Sequence, residues 1–133
     1  MDELLTLSVL HAPFQRYAEN DMLYLPFCVV TNQIFWPPSF TSPFVDSGEV
    51  EWRPVSKVGV VRAKIEFERC FVSEFESLLP YGVALVEFAP TARLLAFAKS
   101  PKEIEVGKKA KIALDRVVKD GPIIPVIILN QGS

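Results

Sequence analysis

Within the stretch VVRAKIEFER, residues 60–69, the chain switches between apolar and polar side chains at every step from Val61 to Glu68. Val61, Ala63, Ile65 and Phe67 fall on one side, and Arg62, Lys64, Glu66 and Glu68 on the other. A period of two is the signature of a strand, and a polar second face makes it a half-buried antiparallel one. KAKIALDRVV (109–118) repeats the pattern, with Ala110, Ile112 and Leu114 on one side. VALVEF (83–88) and RLLAFAK (93–99) read as two strands around a turn at Ala89–Thr91, and PIIPVIIL (122–129) as a last strand. Its Pro125 lacks a donor N–H, which predicts an edge position. Gly107 and the pair Asp120–Gly121 supply turns.

Five short strands in the last eighty or so residues predict a small closed or part-open barrel, of OB type. Residues 54–133 are assigned to it. Residues 1–21 form an N-terminal helical segment, with a short helix expected over HAPFQRYAEN (11–20) and Pro13 in its first turn. MLYLPF (22–27) reads as a strand stopped by Pro26. From Cys28 to Trp52 the chain is rich in turns and aromatics, with the outline of a small metal-binding ribbon but a single cysteine. The expected class is mainly β: an OB-type barrel preceded by a short helix and, over 22–53, a degenerate ribbon-like hairpin region.

Half of the 133 residues are hydrophobic, a share that calls for a buried partner surface as well as a core. The formal net charge of −2 gives no general attraction to nucleic acid or anionic lipid. Two cysteines make no disulfide framework. The N-terminus starts with acids rather than a basic segment, and no apolar run reaches the length of a membrane span. A cytoplasmic protein is expected.

Catalytic equipment is sparse. His11 is the only histidine, Gly-x-Ser-x-Gly does not occur, and the six glycines form no phosphate-cradling loop. Cys70 has acidic neighbours, which raise a thiol pKa rather than activate it. Glu66 and Glu68 share a strand face expected to be solvated. No catalytic residue is assigned.

Several stretches together resemble a family of zinc-ribbon and OB-fold proteins known as domain of unknown function 35. They are APF (12–14), Cys28, WPP (36–38), Pro43, Trp52, VGVV (58–61), PYGVALVEF (80–88) and EVGKKAKI (105–112), and they run from about Pro13 to Leu129. Such proteins are accessory subunits of thiolases, HMG-CoA synthases and related acyltransferases. Aligned on the family pattern, the four zinc-ligand positions fall on Cys28, Thr31, Ser42 and Val45. Tetrahedral zinc needs four N or S donors, and three of these residues offer none. The expectation is a metal-free ribbon held by aromatic packing, with no cofactor bound by this chain.

The resemblance implies a non-catalytic accessory subunit that helps assemble a thiolase-like or HMG-CoA-synthase-like complex and position its acyl-CoA thioester. Contacts with the partner or the acyl chain are expected from Trp36, Phe40 and Phe44, and from Phe71, Phe75, Leu78, Leu79 and Tyr81 of an apolar loop. Lys99, Lys102, Lys108, Lys109 and Lys111 are candidates for the phosphates of coenzyme A, against a plain reading as a solvated face with interspersed acids. The alternative is a stand-alone OB module for single-stranded nucleic acid or a small ligand.

Overall fold

A computed structural model of the chain describes residues 2–46, 48–67 and 81–128, with the backbone alone considered for 2–8. Helix α1 spans Asp2–Ala18. Strands β1 (Tyr24–Cys28), β2 (Gln33–Ile34) and β3 (Val50–Pro54) follow, then β4 (Val58–Phe67), β5 (Tyr81–Ala89), β6 (Ala92–Ala98), β7 (Lys109–Asp115) and β8 (Ile124–Ile128). A single 3-10 turn, Pro101–Glu103, lies between β6 and β7. The first three strands form a sheet in the order β2-β1-β3, and the last five close a barrel in the order β4-β5-β6-β8-β7. This is the mainly β, OB-type architecture that the alternating stretches predict.

The barrel interior is filled by Val61, Ala84, Val86, Leu94, Ala96, Ile112, Leu114 and Ile127, all buried. Small alanines opposite branched side chains let a five-stranded barrel fill without a pore. Phe14 and Ala18 of α1, with Leu23 just before β1 and Leu25 within it, extend the same apolar cluster outward, so helix, three-stranded sheet and barrel share one core.

Four elements differ from expectation. The helix begins at Asp2 and holds Pro13 in its interior rather than its first turn. Residues 2–10 contain no glycine or proline to stop it. The burial of Phe14 and Ala18 offsets the one hydrogen bond that Pro13 removes. Pro26 does not end the strand: β1 runs through it and pairs Pro26 with Trp52 of β3. Likewise β8 is no edge strand, because it lies between β6 and β7. It pairs with β7 over its whole length, but with β6 only at Phe97 and Val126, just past Pro125.

The fourth difference changes the surface. On β4, Val61 pairs with Val86 and Ala63 with Leu85, so Arg62 is an extra residue in a β-bulge. A one-residue slip exchanges the two faces of a strand. Val61 therefore points into the barrel, whereas Ala63, Ile65 and Phe67 lie on the outer face opposite Leu85, Val83 and Tyr81. Lys64 and Glu66 share the inner side with Ala84 and Gly82. There the Lys64 Nζ donates to the carbonyls of Pro101 and Ile104, at 2.8 and 2.7 Å. The expected single apolar face is thus split between inside and outside.

Candidate functional site

Where β6 and the start of β8 diverge, the barrel wall opens into a groove. Leu94, Leu95 and Arg93 border it on one side, and Pro122, Ile123, Ile124 and Pro125 on the other. Helix α1 closes one end with His11, Phe14 and Gln15, and Trp36 and Pro37 from the ribbon close another, around about 860 Å³. That volume is in the usual range for sites that take small organic ligands. Prolines at 122 and 125 remove two backbone donors from the β8 side, which favours side-chain contacts over an added strand.

The walls are fixed by specific bonds. Gln15 donates through Nε2 to the Ile123 carbonyl at 2.7 Å, and its Oε1 accepts from the Ile123 amide at 2.9 Å. Trp36 donates its amide to the Thr91 carbonyl at 3.0 Å, and the Thr91 hydroxyl donates to the Ile34 carbonyl at 2.7 Å. Both bonds pin the ribbon to the β5–β6 turn. The Trp36 ring is packed edge-on by His11 at 5.4 Å and by Trp52 at 6.4 Å, with Phe14 tilted against it at 5.4 Å. The Trp36–Pro37 peptide bond is cis. His11, the first residue of the helix expected over 11–20, is half-buried in mid-helix as a wall of this groove.

The predicted apolar contacts divide. Trp36 is in the groove. Phe40 is 64% exposed and borders a separate hollow with Val9, Leu10, Pro13 and Trp52. Phe44 is half-buried, edge-on to Phe35 at 6.0 Å, and serves the ribbon interior. Tyr81 opens β5 and stacks on Phe67 at 5.2 Å and Phe97 at 5.5 Å. Phe71, Phe75, Leu78, Leu79 and Cys70 lie outside the described residues.

Lys108, Lys109 and Lys111 do come together, along a cleft of about 420 Å³ that also holds Glu103 and Glu105. Lys99 borders a smaller neighbouring hollow. Lys102 stands apart, 3.8 Å from the Glu66 carboxylate. Acids are interspersed, so the cleft has no uniform positive field.

Cys28, Thr31, Ser42 and Val45 also converge. The Thr31 amide donates to the Cys28 sulfur at 3.4 Å. Ser42 and Val45 pack around Gly48 so closely that a Cβ there would stand 2.5 Å from Ser42 Cβ and 2.8 Å from a Val45 methyl. Cys28 is fully buried. Burial pushes its thiol pKa up. The Ser42 and Thr31 side chains and the Thr31 and Val30 amides together outweigh burial and hold it at about 7. The Thr31 hydroxyl is buried and meets no hydrogen-bond partner at full geometry among the described residues. Among those residues no three His, Cys, Asp or Glu side chains group as metal ligands.

A third cluster escaped the sequence reading. Glu87 of β5 accepts from Arg62 Nη2 at 3.0 Å and from Arg93 Nε at 2.8 Å. The Arg62 hydrogen bond, with help from Arg93, holds its carboxyl below the ordinary value. Arg62 reaches Glu87 because it is the bulged residue, and no pattern in the sequence marks a bulge. The groove itself is equally silent, since its walls come from residues some 110 positions apart, such as Gln15 and Ile123.

No family profile matches the chain, and no curated protein matches it. Among solved structures, its fold is similar to that in the Ltp2-ChsH2(DUF35) aldolase, at 24% identity and a TM-score of 0.73, over 88% of this chain and 91% of that one. It is also similar to a protein of unknown function from the DUF35 family of Sulfolobus solfataricus, at 17% identity and a TM-score of 0.57, over 96% and 90% of the two chains. The fold is therefore one found in DUF35 proteins. No described helix is long and apolar enough to cross a membrane.

Proposed function

We propose that the chain is a cytoplasmic, non-catalytic accessory subunit of a thiolase-fold acyltransferase or HMG-CoA-synthase-type complex. The observation that carries this reading is the match in fold, over almost the full length of both chains, to a DUF35 chain in a structure described as the Ltp2-ChsH2(DUF35) aldolase. Two features of the molecule support it. The groove is apolar and open, with His11, Gln15 and Arg93 as its polar members. Large hydrophobic side chains such as Leu95 and Ile65 are exposed on the barrel next to or near it, as a partner surface requires.

In this reading the partner brings the nucleophile for acyl transfer. The present chain contributes position and water exclusion, with the groove sheltering the acyl or pantetheine part of a coenzyme A thioester. The lysines of the β7 cleft are available to its phosphates. The nucleic-acid alternative draws less support, because the rings of Phe67, Tyr81 and Phe97 stack on one another rather than standing free for bases.

The test is co-expression with a thiolase-fold protein of the same organism. A stable complex with altered acyl-transfer rate is expected. A chain that stays apart from such a protein and leaves its rate unchanged contradicts the reading.

A further inference from the structure

The bulge at Arg62 leaves an apolar surface on the outside of the barrel. Its cross-strand rows are Ala63, Leu85 and Leu95, then Ile65 and Val83, with the buried Phe97 ending the second row. Ile65 is 60% and Leu95 64% exposed. Neighbouring strands are about 4.8 Å apart, so the three strands form a face roughly 10 Å across before side chains are counted. Ala63, Ile65 and Leu85 stand on open strand surface outside the groove, where a small ligand would find no walls.

At one end of this face stands the cluster of Arg62, Glu87 and Arg93. One carboxylate serves two guanidinium groups. Glu87 is 13% exposed, but the arginine side chains are 47% and 50% exposed. Each guanidinium carries five N–H donors and spends one on Glu87. The cluster therefore carries a surplus positive charge and a fork of unused donors beside an apolar surface. Lys64, the next cation along β4, is turned to the other side and held by backbone carbonyls.

We infer that the outer face of β4, β5 and β6 docks a protein whose contact surface is apolar and bears a carboxylate seated between Arg62 and Arg93. Charge selects this occupant: an acidic group neutralises the surplus and takes up the donors in charge-assisted bonds. A second copy of the chain would bring a like-charged cluster instead. Arg93 and Leu95 also border the groove, so a protein seated here would roof it. The inference deepens the accessory-subunit reading by naming the docking face and its chemistry.

The test uses the full chain, isotopically labelled, and two short peptides. One alternates leucine with glutamate, and the other carries lysine in place of glutamate. The glutamate peptide is expected to shift the amide signals of Ala63, Ile65, Arg93 and Leu95 and to bind about tenfold more tightly than the lysine peptide. The double substitution Arg62→Ala, Arg93→Ala should erase that difference. Leu95→Asp, at an exposed position, should abolish both interactions with the spectrum otherwise unchanged.

Equal binding of the two peptides, or shifts confined elsewhere, overturns the inference. Dodecanoate binding this face when neither peptide does would assign it to a small amphiphile, and overturns it too. So does self-association of the chain that Leu95→Asp abolishes. The two readings fail separately. A thiolase-fold protein that co-purifies equally with the native and Leu95→Asp chains contradicts the docking face and leaves the accessory role standing. A chain that binds the glutamate peptide here but no thiolase-fold protein does the reverse.

Discussion

Gln15 of the helix and Ile123 of the barrel exchange two hydrogen bonds, one through each atom of the glutamine amide. The side chain thereby does for Ile123 what a neighbouring strand would do. It satisfies both backbone groups at the point where β8 has not yet met β6, and so holds the helix as a wall of the groove.

Replacement of Gln15 by alanine leaves a partly buried N–H and C=O without partners. The expected loss is about 1–3 kcal/mol of unfolding free energy, read from urea denaturation. Gln15→Glu keeps the acceptor and loses the donor, and is expected to fall between alanine and the native residue.

Gly82 has no room for a side chain. A Cβ there would stand 2.5 Å from the Ile65 carbonyl oxygen and 2.6 Å from Pro101 Cβ. Gly82→Ala should therefore cost about 1–3 kcal/mol, as overpacking does in a filled core. It should also loosen the 3-10 turn that Lys64 holds. Gly107, with φ of +92° and open space around it, is different. Gly107→Ala should lose about 1 kcal/mol through backbone strain alone, and Gly107→Asn less, since asparagine tolerates that conformation.

Cys28 predicts a pH dependence of stability. Its pKa falls from 9.0 to about 7 on folding. The folded state therefore holds the thiolate better than the unfolded one. The resulting stabilisation is fully present above about pH 9 and is lost as pH falls through about 7. Denaturation midpoints of the native chain should rise across this window relative to those of Cys28→Ala, which lacks that titration. Parallel curves for the two proteins would contradict the environment described for Cys28.

Glu87 gives a second window. Its carboxyl is held below the ordinary value of 4.5, first by the Arg62 hydrogen bond, with burial opposing. Its stabilisation is present above that value and is lost as pH falls through the lowered one. Glu87→Gln should remove this acid-labile part and leave two arginines facing each other. Acid titration followed by circular dichroism distinguishes the two chains.

The barrel was legible because 109–115 alternates with the period of a strand, and because the apolar runs 83–88 and 93–98 flank a turn. The turns between β1 and β3 were legible from their breakers. What could not be read depends on single-residue events or on distant partners. The bulge at Arg62 inserts one residue into a perfect alternation and turns Ile65 outward without changing the pattern. Pro26 and Pro125 look like strand ends and edges, yet the structure tolerates both within paired strands. Gln15 has no local mark at all, because its partner is 108 residues away.

The central claim is that this chain completes another protein's acyl-transfer site. The direct measurement is the acyl-transfer rate of a thiolase-fold protein of the same organism that binds this chain, alone and with one equivalent of it, native or Trp36→Ala. The account predicts that the native chain raises the rate, and that Trp36→Ala, which removes a wall of the groove, binds but raises it less. A rate indifferent to the native chain, despite a formed complex, would contradict it.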